Sequence, residues 1–380
     1  MRQLIRPAMA AGLALAAIAP VCAGQHYKQT TLVSSTGKTP DADLINPWGM
    51  SRGSGSPWWV SDAGTGKSTL YTGNGTKGLL VVTIPSATAG KQSIPTGTIY
   101  NGSTTSFLLA KSVPAVFLFC TIDGTVSGWN PALGVAPGKT SMKAAIVAKG
   151  KKGSVYTGMT SAQMNGAPVL YLANAGRGTV DVFDATFKPV KFTVESWEPT
   201  PFTDDLLPPN YVPYNVQAIG SDIVVTYAMF NGEQEVDGPG MGYVDIYSST
   251  GYLKQHLEHG DWLNAPWGVA LAPTDFGRYS HSLLIGEFAG GGTTENAGTI
   301  AAYDLATGRF EGLLENAAGK PLAINGLWAL SPGNASPNNL DPAASPAAQM
   351  YFTAGPKGGS QGLFGYITAT AADLTQGNDQ

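Results

Sequence analysis

Side-chain oxygens follow several of the short apolar runs of this sequence, and they are its strongest candidates for chemistry. Glu287 directly follows the apolar run 283–286 and has few charged neighbours, so it is the preferred catalytic base or single metal ligand. Turns after the other apolar runs supply the remaining candidates: Asp62, Asp123, Asn174, Arg177, Glu233, Glu235, Asp237, Glu295 and Asn296. Of these, Asp62, Asp123, Asn174 and Arg177 are predicted to bind a ligand.

Four asparagines form a second set, Asn46, Asn215, Asn264 and Asn325. Carboxylate and amide oxygens are hard ligands, which suit Ca²⁺ better than zinc or copper. If the fold brings the entrances of several strands to one axis, these asparagines are expected to hold calcium there. The alternative is that each Asn or Asp caps its own turn by bonding to nearby backbone.

A repeated unit specifies the elements that position these residues. Six segments each contain an apolar strand, a small or acidic turn and a second strand, and internal repeats of this kind define an architecture. The second strands end at Tyr71, Trp129, Phe183, Tyr247, Tyr303 and Tyr366, which are 54 to 64 residues apart. This spacing predicts an all-β, six-bladed β-propeller with four-stranded blades. We expect the N-terminal strand "HYKQTTLVSS" (26–35) to complete the last blade and close the ring.

Similar words mark the innermost strands: "NPWGM" (46–50), "NAPWGVAL" (264–271), "INGLWAL" (324–330) and, in the fourth blade, "PYNVQAI" (213–219). Small residues such as Gly49 and Gly268 suit the crowded axis. Trp48, Trp267 and Trp328 are then expected to pack between neighbouring blades. The alternative is that these tryptophans form a platform for a sugar or an aromatic ligand at the channel mouth.

The N-terminus is typical of an export signal. Arg2 and Arg6 precede an apolar run from Ala8 to Ala19 that is too short to span a membrane, so residues 1–23 are predicted to be a signal peptide. Residues 24–380 then form a single domain that is periplasmic or secreted, with no transmembrane segment. A lipid anchor at Cys22 is the less favoured alternative. Removing Cys22 leaves Cys120 as the single thiol.

Composition and short motifs exclude several functions. The net charge of −4, with 13% charged residues, argues against a nucleic-acid partner. "GTGKST" (64–69) precedes a strand where a phosphate-binding loop needs a helix, and "GGSQG" (358–362) lacks the helix of a hydrolase elbow. His256 and His259 are interpreted as residues of an exposed outer strand and turn.

In these sequence motifs the chain also resembles a known but functionally uncharacterised family of secreted bacterial six-bladed propellers. Members of this family are NHL-like in fold, and some have a C-terminal surface-sorting tail. The resemblance covers nearly the whole region after the signal peptide. Its most specific words are "LINPWGMS" (44–51), "FTDDLLPPNYVPYNVQAIG" (202–220) and "YFTAGPKGGSQGLFGYI" (351–367). The family tends to have an acidic residue and a histidine before "GLFG", where this chain has Gly359, Ser360 and Gln361. The resemblance implies the fold and export, and no activity.

Three functions follow as expectations, in order of preference. The leading hypothesis is an exported, monomeric binding or scaffold propeller whose upper face recognises an extracellular small molecule, glycan or protein. The alternative is a Ca²⁺-dependent hydrolase, lactonase or lyase at the channel mouth, with Glu287 in the mechanism. A structural envelope protein ranks third. An insertion at 195–214, rich in aromatic residues, is expected to pack over one face, and a polar insertion at 331–349 to form a loop.

Overall fold

Six antiparallel β-sheets follow one another along the chain and account for nearly all of its regular structure. The computed structural model describes residues 26–37, 40–192, 200–232, 234–289, 297–333 and 348–370. The predicted signal peptide (1–23), Glu233, Glu295 and Asn296 lie outside these residues, as do residues 195–199 of the first predicted insertion and 334–347 of the second. Helix is limited in the described ranges to a 3₁₀ turn at Gly277–Tyr279 and a helical turn at Pro356–Gly359.

The strands group into six blades, numbered along the chain. The N-terminal strand is β1 (Tyr27–Ser34). Blade 1 contains β2 (Pro47–Ser51), β3 (Trp58–Asp62), β4 (Lys67–Tyr71) and β5 (Val82–Thr83). Blade 2 contains β6 (Pro95–Tyr100), the small hairpin β7 (Leu108–Ala110) and β8 (Val113–Pro114), then β9 (Phe117–Thr121), β10 (Thr125–Trp129) and β11 (Ala145–Lys149). Blade 3 contains β12 (Tyr156–Met164), β13 (Ala167–Asn174) and β14 (Thr179–Asp184).

The remaining blades complete the ring. Blade 4 contains β15 (Tyr211–Ile219), β16 (Asp222–Phe230), the short β17 (Glu235–Val236), β18 (Gly242–Ser248) and β19 (Leu253–His256). Blade 5 contains β20 (Pro266–Leu271), β21 (Leu283–Glu287), β22 (Ile300–Tyr303) and β23 (Phe310–Leu313). Blade 6 contains β24 (Leu327–Pro332), β25 (Met350–Ala354) and β26 (Leu363–Ala369), with β1 as its outer strand.

The two ends of the described chain meet in blade 6. Strand β1 pairs antiparallel with β26, from Tyr27 opposite Ala369 to Ser34 opposite Leu363. The predicted six-bladed, all-β propeller with an N-terminal closing strand is therefore confirmed. Blade 3 differs in detail, because its described residues form three strands and only an isolated bridge, Phe183 to Pro189, lies beyond them.

The inner strands form a closed ring around the axis, each next to the inner strand of the following blade. Their third residues are mostly glycine because a Cβ there would strike the neighbouring backbone. A Cβ on Gly49 would lie 2.6 Å from the Thr96 carbonyl oxygen, and one on Gly268 would lie 2.7 Å from that of Trp328. This crowding accounts for the small residues of the repeated words.

Candidate functional site

Aromatic side chains from four blades meet on the propeller axis. The rings of Trp48 and Trp328 stack with centroids 3.7 Å apart, and Trp267 lies 5.8 Å from Trp328. Tyr214 belongs to blade 4, opposite blade 1 in the ring, yet its ring is 6.4 Å from that of Trp48. Side chains from opposite sides therefore touch and close the channel; we call Trp48, Tyr214, Trp267 and Trp328 the axial aromatic cluster.

Hydrogen bonds hold this cluster in place. The Trp328 indole N–H donates to Asn46 Oδ1 at 2.9 Å, and the Trp267 indole donates to the Thr157 carbonyl of blade 3 at 2.9 Å. The three tryptophans are buried, and Trp328 is sandwiched between Trp48 and Phe288. These contacts are those of a packed core, and they cross the axis as well as join neighbouring blades. The ligand platform stays a prediction.

The four asparagines are engaged with the protein itself. Asn264 Oδ1 accepts a hydrogen bond from the Gly238 N–H at 2.8 Å, and Asn325 Oδ1 accepts one from the Lys357 N–H at 3.2 Å. Asn215 lies in the middle of β15, not at its entrance, and its amide donates to the Trp267 carbonyl at 2.7 Å. With Asn46 bonded to Trp328, the described contacts are those of capping and linking residues. The calcium site remains a prediction.

The four polar residues of blades 1 to 3 that were predicted to bind a ligand each form side-chain hydrogen bonds with other residues. Asp62 is buried and accepts hydrogen bonds from the Thr69 N–H and hydroxyl, and burial raises its pKa well above the ordinary range. Asp123 accepts from the Ala87 N–H at 2.6 Å. Asn174 and Arg177 bond within blade 3 and its adjoining loop: Asn174 donates to Asp181 and Arg177 to the Lys152 carbonyl. None of these side-chain hydrogen bonds joins one of the four to another.

Glu287 occupies the same place in blade 5 as Asp62 in blade 1, since each pairs with the proline that begins the inner strand. Its Oε2 accepts a hydrogen bond from the Asn264 N–H at 2.8 Å, whereas Oε1 has no partner among the described residues. Burial raises the pKa of this carboxyl well above its usual value. The buried side chain therefore favours its neutral form.

Replacing Glu287 with glutamine should stabilise the protein at alkaline pH. A folded-state pKa above the unfolded value means that the neutral carboxyl favours folding, and that this contribution is lost as pH rises through the folded pKa. Relative to wild type, E287Q should gain stability progressively above pH 4.5, the ordinary pKa, and show little difference below it. Thermal melts across pH test this, with exposed Glu311→Gln on the same blade as control. An E287Q protein less stable than wild type at pH 8 would contradict it.

The described structure places a large cavity at the opposite end of the channel. We call the end where the inner strands finish the lower mouth. A cavity of ≈ 520 Å³ opens there between the strand ends of blades 1, 2, 4, 5 and 6. A narrower space of ≈ 30 Å³ continues inward to Asn215 and to Trp267, which belongs to the axial aromatic cluster.

The lower-mouth cavity has a mixed lining. Polar groups come from Ser51, Arg52, Thr98, Gln217 and Ser331, and apolar surface comes from Met50, Ile99, Ile219 and Leu330. Gln217, Thr98 and Met50 also line the narrow inner space, which puts them at the deep end. The Arg52 guanidinium lies 5.1 Å from the Trp58 ring centre, an orienting cation–π contact. In the sequence, this site corresponds to the last residues of the inner strands, whereas the candidates predicted above lie at the strand entrances and in the turns.

The fold and site define a six-bladed β-propeller with aromatic side chains packed on its axis and a cavity at one end of its channel. An uncharacterised protein, R648 of Acanthamoeba polyphaga mimivirus, is 30% identical over 86% of this chain and 76% of its own length. A second, L690 of the same virus, is 30% identical over 77% and 74%. The chain therefore belongs to the family of these two proteins. No protein-family model matches the chain.

A solved structure supports the fold. The PQQ-bound aldose sugar dehydrogenase of Streptomyces coelicolor aligns with 92% of this chain and 99% of its own, at a TM-score of 0.51 and 13% identity. The two relatives come from a virus of amoebae and do not support the predicted membership of a bacterial family. None of the helices in the described ranges has the length and hydrophobicity needed to cross a bilayer.

Proposed function

We propose that this protein is a binding propeller that takes a small polar ligand, one or two sugar units of a glycan, into the lower-mouth cavity. The observation that carries the proposal is the ≈ 520 Å³ cavity itself, which is within the range of small-molecule sites. Trp267 of the axial aromatic cluster lies at the inner end of the space beneath this cavity, so a ligand would enter from the lower mouth.

The lining suits a sugar because it alternates two kinds of surface. The Gln217 amide and the Ser51 and Ser331 hydroxyls can exchange hydrogen bonds with ring hydroxyls, while Met50 and Leu330 can cover C–H faces. Ser51 Oγ already accepts a hydrogen bond from the Tyr100 N–H at 2.8 Å, which fixes its position. Strand ends from three blades hold these groups, and two more blades complete the lining, so the pocket is largely formed before a ligand arrives.

Gln217→Leu should weaken sugar binding by about tenfold, the effect of losing one or two hydrogen bonds in a partly buried site. The measurement is titration calorimetry against a panel of mono- and disaccharides. Gln163→Leu is the matched control, because Gln163 is exposed near the end of the blade 3 inner strand and outside the cavity. Failure of the whole panel to bind wild type, or equal affinity of Q217L and wild type, would overturn the proposal.

We also propose that the protein is exported and meets its ligand outside the cell membrane. The support is the leader pattern of residues 1–23, with Arg2 and Arg6 before an apolar run. An extracellular or periplasmic glycan would be available to such a protein. Fractionation of cells producing the full chain, with N-terminal sequencing of the product, would test this; an uncleaved protein in the cytoplasm would contradict it.

A further inference from the structure

A cluster of metal-binding side chains lies in blade 4, away from the channel. Asp245 on β18 and His256 on β19 are neighbours across the outer strand pair, and Asp204 reaches them from the loop 200–210. His256 Nδ1 is 2.9 Å from Asp245 Oδ1 and 3.5 Å from Asp204 Oδ2. One possible ligand atom from each of the three residues lies within 4.8 Å of the other two.

Protein donors outside this cluster fix both carboxylates. Asp204 Oδ1 accepts a hydrogen bond from the Leu206 N–H at 2.8 Å, and Asp245 Oδ2 accepts one from the Tyr247 hydroxyl at 3.2 Å. The Tyr247 hydroxyl in turn contacts that of buried Tyr227 at 2.7 Å. The remaining oxygen of each carboxylate therefore faces the imidazole, an arrangement typical of supported metal ligands.

The second oxygen of Asp204, Oδ2, is the ligand atom that the loop brings to this cluster. The Asp204 side chain is only 3% exposed, and its Oδ2 lies 3.5 Å from His256 Nδ1. The imidazole Nδ1 carries one proton at most, and the shorter distance directs it to Asp245. A carboxylate oxygen close to this nitrogen, whose proton is directed to Asp245, is placed to bind a cation.

Access from solvent favours the same occupant. His256 is 43% exposed, which gives an ion and its water a path from solvent.

We propose that Asp204 Oδ2, Asp245 Oδ1 and His256 Nδ1 bind one Zn²⁺ ion, with water as the fourth ligand. Binding releases the Nδ1 proton and replaces the Asp245–His256 hydrogen bond with two metal bonds. Zinc is favoured over calcium because one ligand is an imidazole nitrogen and the set is small. The two nitrogen–oxygen distances, 2.9 and 3.5 Å, are similar to the distances between neighbouring ligand atoms around an ion bound at about 2.0–2.2 Å.

The ion would fasten the loop 200–210 to blade 4. This loop is already anchored at Phe202, whose ring lies 5.4 Å from Tyr247 and 5.6 Å from Tyr171 of blade 3. The Phe202 N–H also donates to the Gly251 carbonyl at 2.8 Å. Asp204, two residues later, is therefore held near the strands before any metal binds, which lowers the entropic cost of assembling the site.

The test is zinc binding to the full chain, from which metal is first removed with a chelator and by dialysis. Binding is measured by competition with a chromophoric chelator. Wild type should bind one equivalent, and a tetrahedral Co²⁺ substitute should give visible absorption. Asp204→Asn and His256→Gln should each weaken binding at least tenfold, while Asp205→Asn and His259→Gln, exposed neighbours with the same chemistry, should bind as wild type. Circular dichroism establishes that each variant is folded.

Three results would overturn the zinc site. They are less than one equivalent of zinc on wild type, wild-type affinity in both D204N and H256Q, and tight binding of calcium but not zinc. The test does not depend on the lower-mouth cavity, because no residue of the zinc cluster lines it.

Discussion

Deleting residues 27–34 is expected to abolish cooperative folding. These residues form the whole of β1, which pairs with β26 along its length, so the deletion leaves β26 as an open edge. It also removes Tyr27, whose ring packs 4.9 Å from Phe276 and whose hydroxyl donates to the Phe276 carbonyl at 2.9 Å. Tyr27 is 2% exposed and fills the space between blades 5 and 6.

The experiment is calorimetry of the deleted chain beside a permuted control. The Thr370 N–H donates to the His26 carbonyl, so the ends of β26 and β1 are adjacent and a short turn can join them. A chain that carries residues 26–35 after residue 370 should recover a single cooperative transition. A deleted chain that melts cooperatively at the wild-type temperature would show that the ring does not need its closing strand.

Trp328→Ala is expected to destabilise the protein by about 3–5 kcal/mol, the range for removing a large buried aromatic side chain. Trp328 is 1% exposed and stacks on Trp48 at 3.7 Å and on Phe288 at 4.0 Å. Its removal also leaves Asn46 Oδ1 without its indole donor. The cavity left on the axis cannot refill easily, because inner strands from all sides surround it.

Urea unfolding of W328A tests this, with Trp262→Ala as the matched control. Trp262 is half-buried at the outer side of blade 5 and stacks on Phe310 at 3.9 Å, so its loss should cost clearly less. Trp328→Phe should retain most of the stacking and lose the hydrogen bond to Asn46, at about 1 kcal/mol. A W328A protein within 1 kcal/mol of wild type would contradict the role given to the axial aromatic cluster.

The fold could be predicted because its signals are local and repeated. Each blade shows the same apolar strand, turn and aromatic end, and the unpaired N-terminal strand had a single open position, beside β26. The sequence motifs predicted to form inner strands do overlap β2, β15, β20 and β24. Packing of the tryptophans was predicted only in part, since contact between blades 1 and 4 depends on the diameter of the ring.

The candidate sites were much harder to predict. Asp62 and Asp123 look alike in sequence, yet one is buried at a strand end and the other lies in a partly exposed turn. The burial of each carboxyl group decides its chemistry, and neither sequence motif predicts that burial. The approach of Asp204 to His256, 52 residues later, depends on the path of an irregular loop, and no periodic pattern specifies that path.

The most direct measurement for the central proposal is a crystal structure of the protein with the tightest-binding saccharide of the panel. We expect ligand density in the lower mouth, between Gln217, Ser51 and Ser331, with the axial aromatic cluster unchanged. Density at the other end of the channel, beside Asp123, Arg177 or Glu287, would contradict it and return the site to the upper face.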